Sequence, residues 1–263
     1  MTRVVVVGGG RMGEALVSGL LAAEWASPGD IAVVEVAAER RRALAERLPG
    51  VHVVEAAPTA EAAVIAVKPG DVAAAAQALA EAGVRRVLSI AAGVTIATLE
   101  AALGTDIGVV RAMPNTPAVL GAGASAIAAG SIATEDDLAW AEGILGSVGT
   151  VVRVAEASLD AVTGLSGSGP AYVFLLAEAL IDAGVLVGLP RDVSVALTNQ
   201  TLLGAARLLV ESGDTPDALR AAVTSPGGTT AAGLRALESA GVRAAVLAAV
   251  TAATERSRQL GTG

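Results

Sequence analysis

The sequence of 263 residues contains no cysteine, so it can form no disulfide bond, no thiolate nucleophile and no cysteine-ligated metal site. Histidine, lysine, tyrosine and phenylalanine each occur once, as His52, Lys68, Tyr172 and Phe174. Catalysis by a His–carboxylate or a Tyr–Lys pair therefore has almost no candidate residues. We interpret His52, in a short strand-like stretch, as structural. Demanding chemistry must then come from a bound cofactor, and we expect no metal ion.

Charged residues are also scarce, at 17%, and the formal net charge of −8 argues against a nucleic-acid partner. The mean hydropathy of +0.63 is high, but it comes from alanine and valine. The longest uncharged run, residues 112–134, contains two prolines and several polar residues, so we expect no membrane span there. The chain enters a strand-like run at Val4 without the organisation of a signal peptide, which favours a cytoplasmic protein.

The first half of the chain alternates short apolar runs with amphipathic helical stretches. Strand-like runs lie at residues 4–7, 31–35, 51–54, 63–67, 87–90, 107–111, 125–128 and 148–154. Helical stretches lie at residues 14–23, 39–48, 72–82, 96–103 and 134–145. Alternation of helices with nearly continuous apolar strands predicts an α/β fold with a parallel sheet covered on both faces.

After about residue 156 long helical patterns take over, at residues 171–187, 192–211, 215–222, 230–240 and 242–259. Within residues 171–187 the only charges are Glu178 and Asp182. A helix that is apolar nearly all round is buried in an assembly or in a membrane. Because Asp182 and Gly184 interrupt a membrane-spanning pattern, we predict burial against a second subunit.

The strongest local motif is a glycine-rich turn after the first predicted strand, Gly8-Gly9-Gly10-Arg11-Met12-Gly13. Gly8, Gly10 and Gly13 match the G-x-G-x-x-G fingerprint, in which glycines allow a tight turn, close approach to a pyrophosphate and close helix–strand packing. The helix that begins here presents free N–H groups to the diphosphate. A glycine turn in an unrelated α/β domain is the alternative, but the position in a βαβ unit favours NAD or NADP binding.

Glu35 closes the second predicted strand, where an acidic residue binds the ribose hydroxyls of NAD and repels the extra phosphate of NADP. The run Arg40-Arg41-Arg42 follows and could instead reach a 2′-phosphate. A charged run at the start of a helix more often forms a solvated face. We therefore expect NADH to be at least usable.

Three further loops follow predicted strands. Lys68 lies after the fourth strand, and the carboxyl ends of strands are where ligands bind in open α/β sheets; a solvated turn lysine is the alternative. The small residues of Ser89-Ile90-Ala91-Ala92-Gly93 would let backbone approach a ligand. Residues 111–117 place Asn115 between two prolines.

A last loop, Thr224-Ser225-Pro226-Gly227-Gly228-Thr229-Thr230, precedes a helix in the second half. Backbone N–H groups and hydroxyls at a helix N-terminus can receive a carboxylate without a charged side chain. A plain helix–helix connection capped by Thr229 fits the same residues equally well.

With these segments the sequence resembles the pyrroline-5-carboxylate reductases over its whole length. The matching segments are the glycine-rich turn, Ala66-Val67-Lys68-Pro69, Ser89-Ile90-Ala91-Ala92-Gly93-Val94-Thr95, Met113-Pro114-Asn115-Thr116-Pro117, Leu165-Ser166-Gly167-Ser168-Gly169-Pro170-Ala171-Tyr172 and the loop at residues 224–230. The last two are highly specific signatures of this family.

The resemblance implies an N-terminal Rossmann-like domain, residues 1–156, that binds NADP or NAD, and an all-helical dimerisation and substrate domain, residues 157–263. Such an enzyme is an oxidoreductase of proline biosynthesis. It reduces the small molecule 1-pyrroline-5-carboxylate to L-proline by hydride transfer from NAD(P)H. It is a homodimer that can assemble further into a decamer.

The resemblance also implies roles for matching residues. The substrate carboxylate would lie on the loop that contains Ser225, Gly227, Gly228 and Thr229, while Thr230, the catalytic residue, would hydrogen-bond the ring nitrogen. The residues implied to bind the cofactor are Gly8, Gly10, Arg11, Met12, Gly13, Glu35, Ala66, Val67, Lys68, Pro69, Ala91, Ala92, Gly93 and Asn115.

The sequence departs from the family pattern in two places. Members that prefer NADPH often carry an arginine directly after the residue matching Glu35, whereas Val36 and Ala37 follow here. The stretch between Val51 and Ala66 is also a few residues short, and an asparagine that often contacts the cofactor there has no clear match.

Two alternatives remain at this point. A β-hydroxyacid dehydrogenase-like enzyme also combines a Rossmann domain with helices, but it uses a lysine of the second half, and no lysine follows Lys68. A non-catalytic dinucleotide-binding protein would bind NAD(P)H without turning over the imine.

Overall fold

The computed structural model describes residues 2–261, and they form two compact units. The first unit contains the described residues up to Ser168 together with those from Thr251 onward, and the second is Gly169–Val250. The domain boundary after residue 156 stays a prediction.

The first unit is built on one eight-stranded sheet. Its strands are β1 (Thr2–Val7), β2 (Ile31–Val34), β3 (His52–Val54), β4 (Ala60–Ile65), β5 (Arg86–Ser89), β6 (Gly108–Met113), β7 (Gly123–Ala129) and β8 (Gly149–Arg153). Their order is β3-β2-β1-β4-β5-β6-β7-β8, and among these strands only the β6–β7 pair is antiparallel. The predicted Rossmann-like α/β fold is confirmed.

Helices cover both faces of this sheet. They are α1 (Arg11–Ala22), α2 (Ala38–Arg47), α3 (Val72–Glu81), α4 (Ile96–Leu103), α5 (Glu135–Gly146) and the short α6 (Leu159–Val162), which runs into a wider turn at Thr163–Gly167. Val4 and Val6 belong to the core on one face, and Val5 and Val7 to the core on the other. Because successive strand residues point to opposite faces and both are covered, the strands are continuously apolar.

The remaining helices are α7 (Gly169–Leu186), α8 (Arg191–Glu211), α9 (Pro216–Ala222), α10 (Thr229–Ser239) and α11 (Val242–Gly261). Helices α7 and α8 pack closely, because Gly184 leaves space for Ser194, whose hydroxyl donates to the carbonyl of Ile181 at 2.8 Å. The helical character of the second half is confirmed. The short helix α6 was not predicted.

The second unit has almost no core of its own. No described residue of α7, α9 or α10 is buried, and Phe174, Leu175 and Leu186 of α7 are 63%, 67% and 86% exposed. By length and composition alone, Glu156–Leu186 and Arg191–Glu211 could each cross a membrane, and α10 with α11 form a bent pair that passes the same criterion. So much exposed apolar surface indicates a partner surface or a lipid environment.

Candidate functional site

The glycine-rich turn lies at the carboxyl end of β1 and leads into α1. Gly8 has a φ of 109°, a conformation that side chains rarely adopt, and a Cβ there would lie 2.5 Å from the carbonyl oxygen of Ala66. A Cβ on Gly13 would overlap the carbonyl oxygen of Gly8. By contrast, a Cβ on Gly10 would meet no atom within 4 Å. Packing therefore explains Gly8 and Gly13, whereas Gly10 faces open space.

The N-terminus of α1 is prepared to receive an anion. Gly10 is its N-cap and supplies no side-chain hydrogen bond to the first turn. Arg11 is exposed, while Met12 packs against the core, so Met12 faces the turn with its backbone. Uncapped N–H groups at a helix N-terminus and the positive end of the helix dipole favour a phosphate.

Glu35 directly follows β2, and its carboxylate folds toward the backbone of the loop that comes next. Its Oε1 accepts a hydrogen bond from the backbone N–H of Ala37 at 2.9 Å. Its Oε2 lies beside Gly9, 3.2 Å from the position of a Cβ there. The carboxylate thus lies between the glycine-rich turn and the loop after β2.

The arginine run does not form a simple solvated face. Arg40 donates from Nε to the carbonyl oxygen of Gly9 at 2.7 Å and from Nη2 to Glu14 at 2.6 Å. Arg41 donates to the carbonyl oxygens of Glu35 and Val36. Arg42 alone is exposed, so the interpretation as a solvated face is wrong for Arg40 and Arg41.

Glu14 joins α1 to α2 beside the turn. It accepts hydrogen bonds from Arg40 and from Arg47, the latter at 3.1 Å. The hydrogen bond from Arg40 lowers the pKa of Glu14, helped by Arg47 and opposed by partial burial. These groups border a groove of about 590 Å³ that also touches Gly10 and Arg11.

An apolar cleft of about 440 Å³ opens between the end of β2 and helix α3. It is lined by the valines Val7, Val34, Val36 and Val67, by alanines of α3 and of the loop after β3, and by Glu55 and Asp71. Its size and walls suit a flat aromatic ring such as adenine. Sequence reasoning had included Val67 among the cofactor-binding residues but missed the other valines and the alanines, because an apolar residue at a strand end looks the same as a core residue.

The loops after β4 and β5 meet at a second cavity of about 400 Å³. Pro69, Ala92 and Gly93 form one side, and Thr163, Ser168 and the end of α11, including Arg256 and Ser257, form the other. Lys68 is exposed in the first of these loops, and Gly93 has a φ of 76°. The contribution of α11 has no local signal in the sequence, because about 160 residues separate it from Gly93 and only the fold brings it back.

The side chain of Asn115 links two segments of the chain by hydrogen bonds. Its Oδ1 accepts from the backbone N–H of Ala124 at 2.8 Å, and its Nδ2 donates to the carbonyl oxygen of Ser166 at 3.0 Å. Ser166 belongs to the wider turn after α6 that borders the second cavity. The side chain of Asn115 thus orders the wall of this cavity from within.

The loop at residues 224–230 lies in the second unit and forms a turn before α10. Gly227 has a φ of 69°, and the N–H of Gly228 donates to the carbonyl oxygen of Ser225 at 3.0 Å, which closes a turn. Gly228 is the N-cap of α10 and supplies no capping side chain. In the alternative interpretation Thr229 caps this helix, but Thr229 is the first residue of the helix and Gly228 is its N-cap.

The glycine-rich turn, the apolar cleft and the second cavity all lie at the carboxyl edge of a Rossmann-like sheet, which is the arrangement of an NAD(P)-dependent oxidoreductase. Residues 156–260 match the family model for pyrroline-5-carboxylate reductase dimerisation, and residues 3–93 match the model described as NADP oxidoreductase, coenzyme F420-dependent.

Known proteins are similar over the whole chain. The pyrroline-5-carboxylate reductase of Mycobacterium tuberculosis is 46% identical over 288 residues, covering 99% of this chain and 97% of the relative. The solved structure of a pyrroline-5-carboxylate reductase from Coxiella burnetii superposes with a TM-score of 0.93 at 37% identity, covering 98% of each chain. The structure of the Plasmodium falciparum pyrroline carboxylate reductase, solved with NADP bound, superposes with a TM-score of 0.85 at 30% identity, covering 99% of this chain and 98% of that chain.

The chain therefore belongs to the pyrroline-5-carboxylate reductase family. The predicted activity, reduction of 1-pyrroline-5-carboxylate to proline with NAD(P)H, is confirmed as the activity of this family, and the substrate is a small molecule. The dimerisation model covers the helices whose apolar surface is exposed, so these helices belong to a region through which the protein oligomerises. The β-hydroxyacid dehydrogenase alternative is not supported.

Proposed function

We propose that NAD(P)H lies along the carboxyl ends of β2, β1, β4 and β5. The adenine would occupy the apolar cleft beside Val36, and the adenosine ribose would lie against Glu35. The diphosphate would lie on the turn from Gly8 to Gly13, over the N–H groups of Arg11 and Met12. The open space at Gly10 and the uncapped N-terminus of α1 support this assignment.

The nicotinamide end would then lie at the cavity after β4 and β5. Pro69, Ala92 and Gly93 line this cavity. Ala66, Lys68 and Ala91 would contact the cofactor beside them, and Val67 would contact it from the wall of the apolar cleft. The loop geometry supports contact through backbone, since Ala91 is buried and Ala92 is exposed. The side-chain amide of Asn115 is already hydrogen-bonded within the protein, so Asn115 would act on cofactor binding by ordering the wall of the second cavity.

The substrate would bind at the N-terminus of α10, at the interface between two subunits. Ser225 and Gly227 would shape the turn, and the N–H groups of Gly228, Thr229 and Thr230 would hold the carboxylate. A helix N-terminus that lacks a capping side chain can accept a carboxylate in place of the cap. The hydroxyl of Thr230 would hydrogen-bond the ring nitrogen.

The bound nicotinamide would supply a hydride to the imine carbon. The remaining work belongs to the chain, which must hold the imine carbon against the cofactor and keep the nitrogen protonated. The segment from Ser225 to Thr230 contains no acidic side chain, so the proton would come from solution or an ordered water. Catalysis would therefore be mainly positioning.

The observation that carries this proposal is the glycine-rich turn, with its open space at Gly10 and its uncapped helix. The test is the absorbance of reduced nicotinamide during incubation with 1-pyrroline-5-carboxylate, run with NADH and with NADPH. Loss of absorbance with formation of proline is the expected result. Binding of either cofactor without turnover would indicate a non-catalytic dinucleotide-binding protein instead.

The helical region would form a homodimer, and dimers would assemble further into a decamer. Phe174, Leu175 and Leu186 are exposed in the single chain and would be buried between subunits in the assembly. Their apolar surface would then need no lipid, so the protein would be cytoplasmic and would bind no membrane. Its net charge of −8 gives it no attraction to nucleic acid. Light scattering without detergent tests this: a decamer or dimer is expected, and aggregation that only detergent relieves would contradict it.

A further inference from the structure

Arg41 lies beneath the loop that follows β2. Its Nη1 donates to the carbonyl oxygens of Glu35 at 2.8 Å and Val36 at 2.7 Å. Its Nη2 forms an ion pair with Glu55 at 3.0 Å. The arginine side chain is 22% exposed, whereas that of Glu55 is 74% exposed. The guanidinium is thus held within the protein, and its partner carboxylate faces solvent beside the apolar cleft.

Several charged groups surround this loop. Glu35, held by the N–H of Ala37, lies where the adenosine ribose would bind according to the proposed function. Arg40 is already bound to Gly9 and Glu14. Two carboxylates, those of Glu35 and Glu55, therefore border this loop, and Arg41 is paired with only one of them, Glu55. This local excess of negative charge opposes a 2′-phosphate.

We propose that Glu55 is a positioning residue that selects the cofactor without a 2′-phosphate, by holding Arg41 in the ion pair beneath the loop. The inference rests on the proposed function, because it requires the adenosine ribose to lie at Glu35. Arg41 is held by two backbone carbonyl oxygens and by Glu55, and Glu55 is its only charged partner among these three. Without the charge of Glu55, Arg41 keeps only the backbone acceptors and turns more readily toward a phosphate, which it can bind with two N–H groups.

The test compares the full-length wild-type enzyme with Glu55→Gln. For each, kcat and KM are measured with NADH and with NADPH, and both dissociation constants are measured by nicotinamide fluorescence. We expect the NADPH-to-NADH ratio of kcat/KM to rise about threefold to tenfold in the variant, through a lower KM for NADPH. The gain should shrink as salt is added, because the pair and the phosphate are near the surface.

A second variant shows whether the effect passes through Arg41. In the double variant Arg41→Gln/Glu55→Gln the gain should disappear, and the ratio should fall to the wild-type value or below it. The matched control is Glu61→Gln, which breaks the Glu61–Arg86 ion pair, also 3.0 Å long and with an exposed carboxylate. Glu61 borders a different cavity, beside Trp25 and Trp140, so this control should leave the ratio unchanged.

The outcomes are distinct. If Glu55→Gln reduces the imine with an unchanged cofactor ratio, or changes both cofactors equally, the inference is wrong and the proposed function stands. A gain that survives loss of Arg41 also overturns it. If the wild-type enzyme binds neither cofactor, the proposed function fails and takes the inference with it.

Discussion

The carbonyl oxygen of Gly8 lies so close to the α-carbon of Gly13 that a methyl group on Gly13 would overlap it. The first turn of α1 therefore packs directly on the backbone that enters the glycine-rich turn. Gly10, between them, faces open space. The same motif thus contains glycines needed for packing and one that packing does not require.

This contrast leads to the first prediction. Gly13→Ala should lower the free energy of unfolding by about 2–4 kcal/mol, since a backbone oxygen must move. Gly10→Ala should cost less than about 1 kcal/mol, because its φ of −68° suits alanine. Yet Gly10→Ala should weaken NAD(P)H binding at least tenfold, about 1.4 kcal/mol, since its methyl group would stand where the diphosphate approaches. Urea unfolding and fluorescence titration measure the two effects, and normal cofactor affinity in Gly10→Ala would contradict the assignment.

The second prediction concerns Thr230. Thr230→Val keeps the shape of the side chain but deletes the hydroxyl, so kcat/KM for 1-pyrroline-5-carboxylate should fall about 10- to 150-fold. Cofactor affinity should change little, because the loop lies outside the unit with the glycine-rich turn. Thr230→Ser restores the hydroxyl and should recover most of the activity. Wild-type kcat/KM in Thr230→Val would remove Thr230 from the mechanism.

The third prediction concerns Glu35. A phosphate repelled by this partly exposed carboxylate loses on the order of 1 kcal/mol, so the wild-type enzyme should prefer NADH about fivefold. Glu35→Gln should abolish most of that preference. Steady-state kinetics with both cofactors give the answer. An advantage for NADPH of more than about a hundredfold in the wild-type enzyme would show that Arg40 and Arg41 bind the phosphate despite their carboxylate partners.

The fourth prediction concerns the apolar surface of α7. Leu175 is 67% exposed in the single chain, so Leu175→Asp should place an unpaired charge in the subunit interface and weaken the dimer by at least about 2 kcal/mol. The matched control is Val152→Asp on β8 of the first unit, where the valine is 53% exposed. Light scattering at several concentrations should show dissociation and loss of activity only for Leu175→Asp. A fully active monomer would contradict the idea that the dimer completes the site.

The fifth prediction concerns pH. The hydrogen bond from Arg40 lowers the pKa of Glu14 in the folded protein, so Glu14 stabilises the fold above the pKa that it has when unfolded. That contribution is lost as the pH falls through the lower, folded pKa. Glu14→Gln should therefore destabilise the protein by about 1 kcal/mol at pH 7 and by progressively less below about pH 4. Urea unfolding at pH 7 and below about pH 4 measures this difference, and Glu39→Gln, at an exposed position, is the control. An equal loss of stability under the two conditions would argue against the ion pair.

Much of the fold followed from local patterns. Continuous apolar runs identified β1, β2, β4 and β5, because a strand covered on both faces has no polar side. The helical stretch predicted at residues 134–145 begins at the observed N-cap of α5, Thr134, and the glycine-rich turn placed the start of α1 close to its observed position. The short helix α6 was not predicted, because four residues are too few to show a helical periodicity.

The sequence by itself determined the fold class, the glycine-rich turn and the family, because each depends on residues that are neighbours along the chain. Only the tertiary structure decided how the arginine run is used, that Glu55 is the partner of Arg41, and that the end of α11 walls the same cavity as Gly93. These relationships join residues that are 14 positions apart in the ion pair and far more in the cavity. Local propensity carries no information about such pairs, since which side chains meet depends on how the strands and helices pack.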